Sequence, residues 1–289
     1  MILLYNPPSS ANHKPILPFA LLALGAALEG RHEYRILDGN LLPDPLAALD
    51  AALRDSSAAR PLLAVTVMPG PQLQHAVPLC RELKRRFPDL IVVWGGYFPT
   101  QHWEACLRSA AVDFVVRGHG EQVFLNLLDF LRAGSPPLHT IAGLAYRDEA
   151  GRPLSNPLAP ATMPPLPHPE RLPDFNFDLL PMERYLRRTF LGSRTLGYHS
   201  SYGCPFFCNF CAVVNMVNGR WLPPSAARVA AAVETYARRW GVDAVEFYDN
   251  NFFVHEARVA EFAERILPLR VAWWGESRID TLLKYSPRT

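Results

Sequence analysis

Cys204, Cys208 and Cys211 lie within SSYGCPFFCNFC, residues 200–211, and make up three of the five cysteines in the chain. Their spacing is C-x3-C-x2-C, with Gly203 before the first and Pro205 after it. Three thiols so close together point to metal chemistry. A structural zinc site usually joins two cysteine knuckles, or a knuckle and histidines. Here Cys80 and Cys106 fall far upstream in amphipathic helical patterns, where they read as small buried hydrophobes. His199 precedes the cluster within an expected strand, so zinc lacks a second half. An odd number of thiols in a reducing compartment argues against disulfides. Three thiolates on a [4Fe–4S] cluster would leave one iron without a protein ligand, open to a small molecule with an amine and a carboxylate.

The flanking elements must carry this loop. TLGYHSSYG reads as a strand running into it. PPSAARVAAAVETYARRWG reads as a helix that starts at Pro224 and Ser225 and stops at Gly241. DAVEFYDNNFF is a second strand and loop, EARVAEFAERILPL a second helix, VAWWGESRI a third strand and DTLLKYS the start of a third helix. Repeating strand–helix units of this kind build a (β/α) barrel, whose site lies at the carboxyl ends of the strands.

Residues 1–134 alternate the apolar runs MILLYN, YRILD, LLAVTVM, LIVVWGG and DFVVRG with five helical patterns: PFALLALGAALEG, PLAALDAALRD, PQLQHAVPLCRELKRRF, QHWEACLRSA and EQVFLNLLDFLRA. Continuous apolar strands between helices predict a parallel sheet covered on both faces. Ligands bind such sheets beyond the carboxyl ends of the strands. The turns there contain Met68, Gly70, Gly95, Gly96, Tyr97, Gly118, Gly120 and Glu121. Glycine there permits tight turns and close backbone approach. No G-x-G-x-x-G follows the first strand, which weighs against a dinucleotide. His13, His75, His102 and His119 fall near loop ends, and each alone reads as solvated or satisfied in the core. Residues 135–190 read as a connector, with a hairpin in IAGLAYRDEAGRPLSN turning at Asp148–Gly151 and then a proline-rich stretch.

The chain has 289 residues, 49% of them hydrophobic and 19% charged, with a net charge of +2. That balance fits a globular protein with a substantial core and gives no reason to expect nucleic acid as a partner. The apolar run from Ile16 is too short to span a bilayer, and MILLYNPPSS does not resemble a signal peptide. A cytoplasmic location is expected.

GCPFFCNFC resembles the cluster motif of the radical S-adenosylmethionine superfamily. The resemblance extends along the whole chain to its cobalamin (B12)-binding members. NPP after the first strand, RELKRRFPDLIVVWGGYFPT and VDFVVRGHGEQVFLNLL are similar to their cobalamin domain. EFYDNNFF and WWGESRID are similar to their second and third barrel strands. The resemblance implies a Rossmann-like doubly wound parallel sheet over 1–134, the connector over 135–190, and the first part of a radical (β/α) barrel over 191–289. It implies that Cys204, Cys208 and Cys211 ligate the cluster. Phe210, Asp249, Asn250, Glu276, Ser277 and Arg278 would then meet S-adenosylmethionine, and the turns at Met68–Pro71, Gly95–Tyr97 and Gly118–Glu121 would surround cobalamin. No D-x-H-x-x-G is present, so no histidine is offered to cobalt in the usual way. The implied activity is formation of a 5′-deoxyadenosyl radical and cobalamin-dependent methyl transfer to an unactivated carbon of a small molecule. A flavodoxin- or ferredoxin-type donor would supply the electrons. Relatives that cyclise or rearrange their substrates keep a second enzymatic reading open. The family's barrel continues for roughly a hundred residues beyond a third strand, so the chain is expected to be C-terminally truncated. It would then be a fragment, a half completed by a second chain, or a non-catalytic cobalamin-binding protein.

Overall fold

The computed structural model describes residues 1–9, 14–56, 60–158, 168–217, 219–287 and 289. His13 and the centre of the proline-rich stretch lie outside them. Two compact units emerge, Met1–Leu166 with Pro173–Leu180, and Pro167–Leu172 with Pro181–Thr289.

The first unit runs β1 (Ile2–Asn6), α1 (Phe19–Leu28), β2 (Tyr34–Asp38), α2 (Pro45–Arg54), β3 (Leu62–Thr66), α3 (Pro71–Arg86), β4 (Ile91–Gly95), α4 (Tyr97–Gln101), α5 (Trp103–Leu107), β5 (Phe114–Val116), α6 (Glu121–Ala133), β6 (Leu144–Arg147) and β7 (Pro153–Ser155). The strand order is β2-β1-β3-β4-β5-β6-β7. Pairing is parallel through β5 and antiparallel beyond it. This is the doubly wound sheet that the alternating apolar pattern predicts. Every residue of β1 is buried, as a central strand covered on both faces must be. Leu49 and Leu53 of α2, Leu79 and Leu83 of α3 and Leu107 of α5 share one core with Leu3, Leu63, Val92 and Val115 of the strands. Helix α1 packs on α6.

Two local differences from the sequence reading have physical causes. The hairpin read as connector pairs with β5 and extends the sheet, because Leu144 and Ala145 are buried and the β5 edge offers unpaired backbone groups. Its turn is as expected, with the Asp148 carboxylate accepting from the Ala150 and Arg152 amides at 3.0 and 2.8 Å. The helix expected in QHWEACLRSA is shortened to α5, and the expected turn GGYFPT before it forms α4; the two are separated where His102 leaves helical geometry at φ −122°, ψ 37°.

The second unit contains β8 (Thr195–Tyr198), β9 (Tyr202–Gly203), α7 (Val213–Val217), β10 (Trp221–Leu222), α8 (Ala226–Trp240), β11 (Ala244–Phe247), α9 (Glu256–Ile266), β12 (Ala272–Gly275) and α10 (Ile279–Leu282). Strands β12, β11 and β8 form a parallel sheet in that order. They are the first three strands of the expected β/α repeat. Ser225 caps α8 by accepting from the Arg228 amide at 3.2 Å, and Gly241 ends the helix in the left-handed region at φ 57°, as the cap residues predict. One face of the sheet packs aromatics, with Phe247 against Phe252, Phe262 and Trp273 at 4.5, 5.3 and 6.2 Å between ring centroids. The other face carries Glu246, and Tyr248 follows just past the strand. Arg187 donates to both side chains.

Candidate cofactor sites

The cysteine loop leaves the carboxyl end of β8. The expected single strand is interrupted at residues 199–201, where Ser200 and Ser201 bond to Asp249, and it resumes as β9. Strand β9 pairs antiparallel with β10, Gly203 opposite Trp221 and Tyr202 opposite Leu222, so the loop between them is closed at its base. Gly203 sits at φ 84°, and a Cβ there would overlap the Arg220 carbonyl. That close approach explains the glycine before the first cysteine.

Within the loop the three thiols are partly exposed, whereas Cys80 and Cys106 are buried. The Cys211 amide donates to the Cys208 carbonyl at 2.9 Å. Desolvation is the largest influence on the Cys204 thiol and raises its pKa; the Phe206 amide opposes this, and Cys208 and Cys211 are near enough to add to the rise. The thiols therefore share one neighbourhood. They do not converge: among the described residues no three His, Cys, Asp or Glu side chains are placed to hold a metal ion. Three thiols on one accessible loop nonetheless have the donor chemistry of a cluster site. Phe210 is 92% exposed.

The other residues expected at this site divide. Asp249 is 2% exposed and faces the protein. It accepts from the Ser200 amide at 2.9 Å, the Ser200 hydroxyl at 2.8 Å and the Ser201 hydroxyl. Arg258 of α9 closes the same turn, donating to the Ser200 carbonyl at 2.6 Å and the Pro224 carbonyl at 2.9 Å. Asp249 thus holds the turn that launches the cysteine loop. Asn250 is exposed, and Asn251 beside it is buried. The Asn251 amide has no hydrogen-bond partner among the described residues. An orphaned buried amide at the carboxyl end of a barrel strand offers a donor and an acceptor to a polar ligand. Sequence reasoning stopped one residue short of it. Glu276 is exposed, and its carbonyl accepts from the Phe252 amide at 3.0 Å. Ser277 donates to the Arg278 carbonyl at 3.2 Å. Arg278 turns toward the cysteine loop and donates to the Cys208 sulfur at 2.8 Å.

In the first unit, the turns after β4 and β5 are joined by a side chain absent from the sequence reading, and backbone bonds tie in the segment after β3. The Thr100 hydroxyl donates to the Gly96 carbonyl at 2.7 Å and accepts from the Gly118 amide at 3.0 Å. Gly95 accepts from the Val67 amide at 2.9 Å, and Val67 from the Phe98 amide at 3.0 Å. Gly96 lies at φ 95°, ψ −164°, a region essentially restricted to glycine. Tyr97 begins α4, Gly120 precedes α6 and Glu121 opens it.

Gln72 organises the other half of this end. It accepts from the Met68 amide at 2.8 Å and donates to Asn6 Oδ1 at 2.7 Å. Asn6 and Asn40 both donate to Asp38 Oδ1, at 2.9 and 2.8 Å. Met68 and Gly70 are exposed, and a Cβ on Gly70 would meet nothing within 4 Å. These are open turns on a rigid base, which suits a ligand with an extended tail. Of the histidines, His75 is exposed on α3, His102 packs against Phe98 at 4.8 Å, and His119 lies in the turn before α6.

A family model described as the B12 binding domain matches residues 14–128. An uncharacterized methyltransferase of Pyrococcus horikoshii is 28% identical over 97% of the chain and 60% of its own length. The anaerobic magnesium-protoporphyrin IX monomethyl ester cyclase of Synechocystis is 26% identical over 98% of the chain and 56% of its own length. The chain therefore spans a little over half the length of these curated relatives. Among solved structures, the cobalamin-dependent S-adenosylmethionine radical enzyme OxsB superposes with a TM-score of 0.79 at 18% identity, covering 100% of this chain and 40% of that one. The radical S-adenosylmethionine methyltransferase TsrM from Kitasatospora setae gives 0.69 at 22% identity, covering 93% and 51%.

Proposed function

We propose that this chain, which carries a B12-binding domain and has the fold of the cobalamin-dependent radical S-adenosylmethionine enzymes, binds a [4Fe–4S] cluster, S-adenosylmethionine and cobalamin and serves a radical methyl transfer to a small molecule. The observation that carries the reading is the closed loop presenting Cys204, Cys208 and Cys211 at the carboxyl end of a barrel-type strand. When bound, the cluster would supply an electron for reductive cleavage of S-adenosylmethionine, and cobalamin would supply methyl-transfer chemistry.

The chain's own residues bind and orient. The three thiols hold iron. Asp249, Ser200, Ser201 and Arg258 hold the turn behind them. Phe210 presents an exposed ring to the adenine, and Asn250, Asn251, Glu276 and Ser277 line the strand ends that would meet the methionine and ribose groups. In the first unit, Met68–Gly70, Gly95–Tyr97 and Gly118–Glu121 form the cobalamin cradle, with Thr100 and Gln72 as its rigid base. A flavodoxin- or ferredoxin-type protein is the proposed electron donor. The similarity to the anaerobic cyclase favours a second reading, in which the same cofactors drive ring closure.

Anaerobic reconstitution with iron, sulfide and cobalamin tests the cofactor set. Retention of about four irons per chain, lost on Cys208→Ala, is the expected result, together with a cobalamin absorption band that survives gel filtration. Zinc in place of iron, or iron independent of Cys208, would reject it.

A further inference from the structure

Arg278 is held by three separate contacts, and all of its partners lie in the second unit. It follows Glu276 and Ser277 past the end of β12 and occupies the N-cap position of α10. Asp280 accepts from its Nε and its Nη2, both at 2.9 Å. Its guanidinium carbon lies 4.4 Å from the centre of the Phe206 ring. Its remaining terminal nitrogen, Nη1, donates to Cys208 Sγ at 2.8 Å. A guanidinium is a planar fork. Once a carboxylate grips one edge and an aromatic face supports the plane, the direction of the third donor is set. Phe206 and Cys208 belong to the same loop, so the support and the acceptor move together. The paired Asp280 also balances the arginine's charge, which weakens its attraction for a free carboxylate such as that of S-adenosylmethionine.

We propose that Arg278 is a positioning residue for the cluster, donating a directed N–H to the Cys208 sulfur and raising the cluster's reduction potential. The inference rests on the cluster reading above. Hydrogen bonds to a ligating sulfur stabilise the more negative, reduced state of an iron–sulfur cluster. Because Asp280 offsets the net charge, the directed donor carries the effect. Lysine, with one compact ammonium on a flexible stem, cannot hold Asp280 and Cys208 together in this way.

The test is a redox titration of the reconstituted full chain, followed by electron paramagnetic resonance, for the wild type, Arg278→Met and Arg278→Lys. Iron content and S-adenosylmethionine affinity are measured on the same samples. The expected result is a shift to more negative potential in both variants, with iron content at the wild-type level. An unchanged potential in Arg278→Met with weakened S-adenosylmethionine binding would assign the residue to that ligand instead and overturn the inference. A shift in Arg278→Met alone would make charge, not the directed donor, responsible, and would also overturn it. Loss of iron from both variants would reduce Arg278 to a structural tie. A wild type with no reducible cluster would reject the cluster reading itself, and this inference with it.

Discussion

Asp249 shows how far a side chain's role depends on its partners. Alone in the sequence it reads as an acidic group at a strand end facing a ligand. In the fold, Ser200 and Ser201 bury it, 49 and 48 residues upstream. Asp249→Ala leaves those donors unsatisfied, and an expected loss of about 2–4 kcal/mol follows, read as a lower denaturant midpoint for the second unit. His199, beside this network, has its pKa held below 6.5 mainly by burial, with Asp249 pulling the other way. Near pH 6.5 the unfolded imidazole takes up a proton that the folded one does not. The second unit's stability is therefore insensitive to this group above that pH and falls as pH drops below it; His199→Gln should flatten the slope in unfolding curves taken from pH 8 to 5. The thiols divide similarly. Burial pushes Cys80 and Cys106 up to about 12, so both stay protonated and unreactive at pH 8. Iodoacetamide should label the other three cysteines of metal-free native protein, and all five only after unfolding, as mass spectrometry would read. The cysteine motif was legible from spacing because its chemistry is local. The Arg278–Cys208 contact was not, because its partners are 70 residues apart.

At the scale of elements, apolar runs and cap residues were enough to find the strands and most helices, since burial and capping are written in neighbouring residues. What escaped was decided by pairing across the sheet. The hairpin joins β5 because that edge is open, which no local pattern in IAGLAYRDEAGRPLSN states. Thr100 is comparable: inside YFPTQ it is an ordinary polar residue, and only the fold brings the Gly96 carbonyl and the Gly118 amide to its hydroxyl. Gly96→Ala forces a side chain into a glycine-only backbone region and brings Cβ to 3.0 Å from Thr66 Oγ1. A cost of about 1–3 kcal/mol to the first unit is expected, with weaker retention of cobalamin on gel filtration. A variant that keeps both wild-type stability and wild-type retention would remove these turns from the cradle.

For the molecule as a whole, two units with separate cores carry the two halves of the proposed chemistry. The thiols belong to one and the glycine turns to the other, so Cys208→Ala should abolish iron loading while leaving cobalamin retention intact. Among the described residues no helix is long and apolar enough to cross a membrane. The cysteine loop is proposed to support reductive cleavage of S-adenosylmethionine. The most direct measurement is 5′-deoxyadenosine formation by anaerobically reconstituted protein with dithionite and S-adenosylmethionine, quantified by chromatography. Product from the wild type and none from Cys208→Ala is the expected result. Cleavage that persists without Cys208, or no cleavage by wild type with a full complement of iron, would contradict the claim.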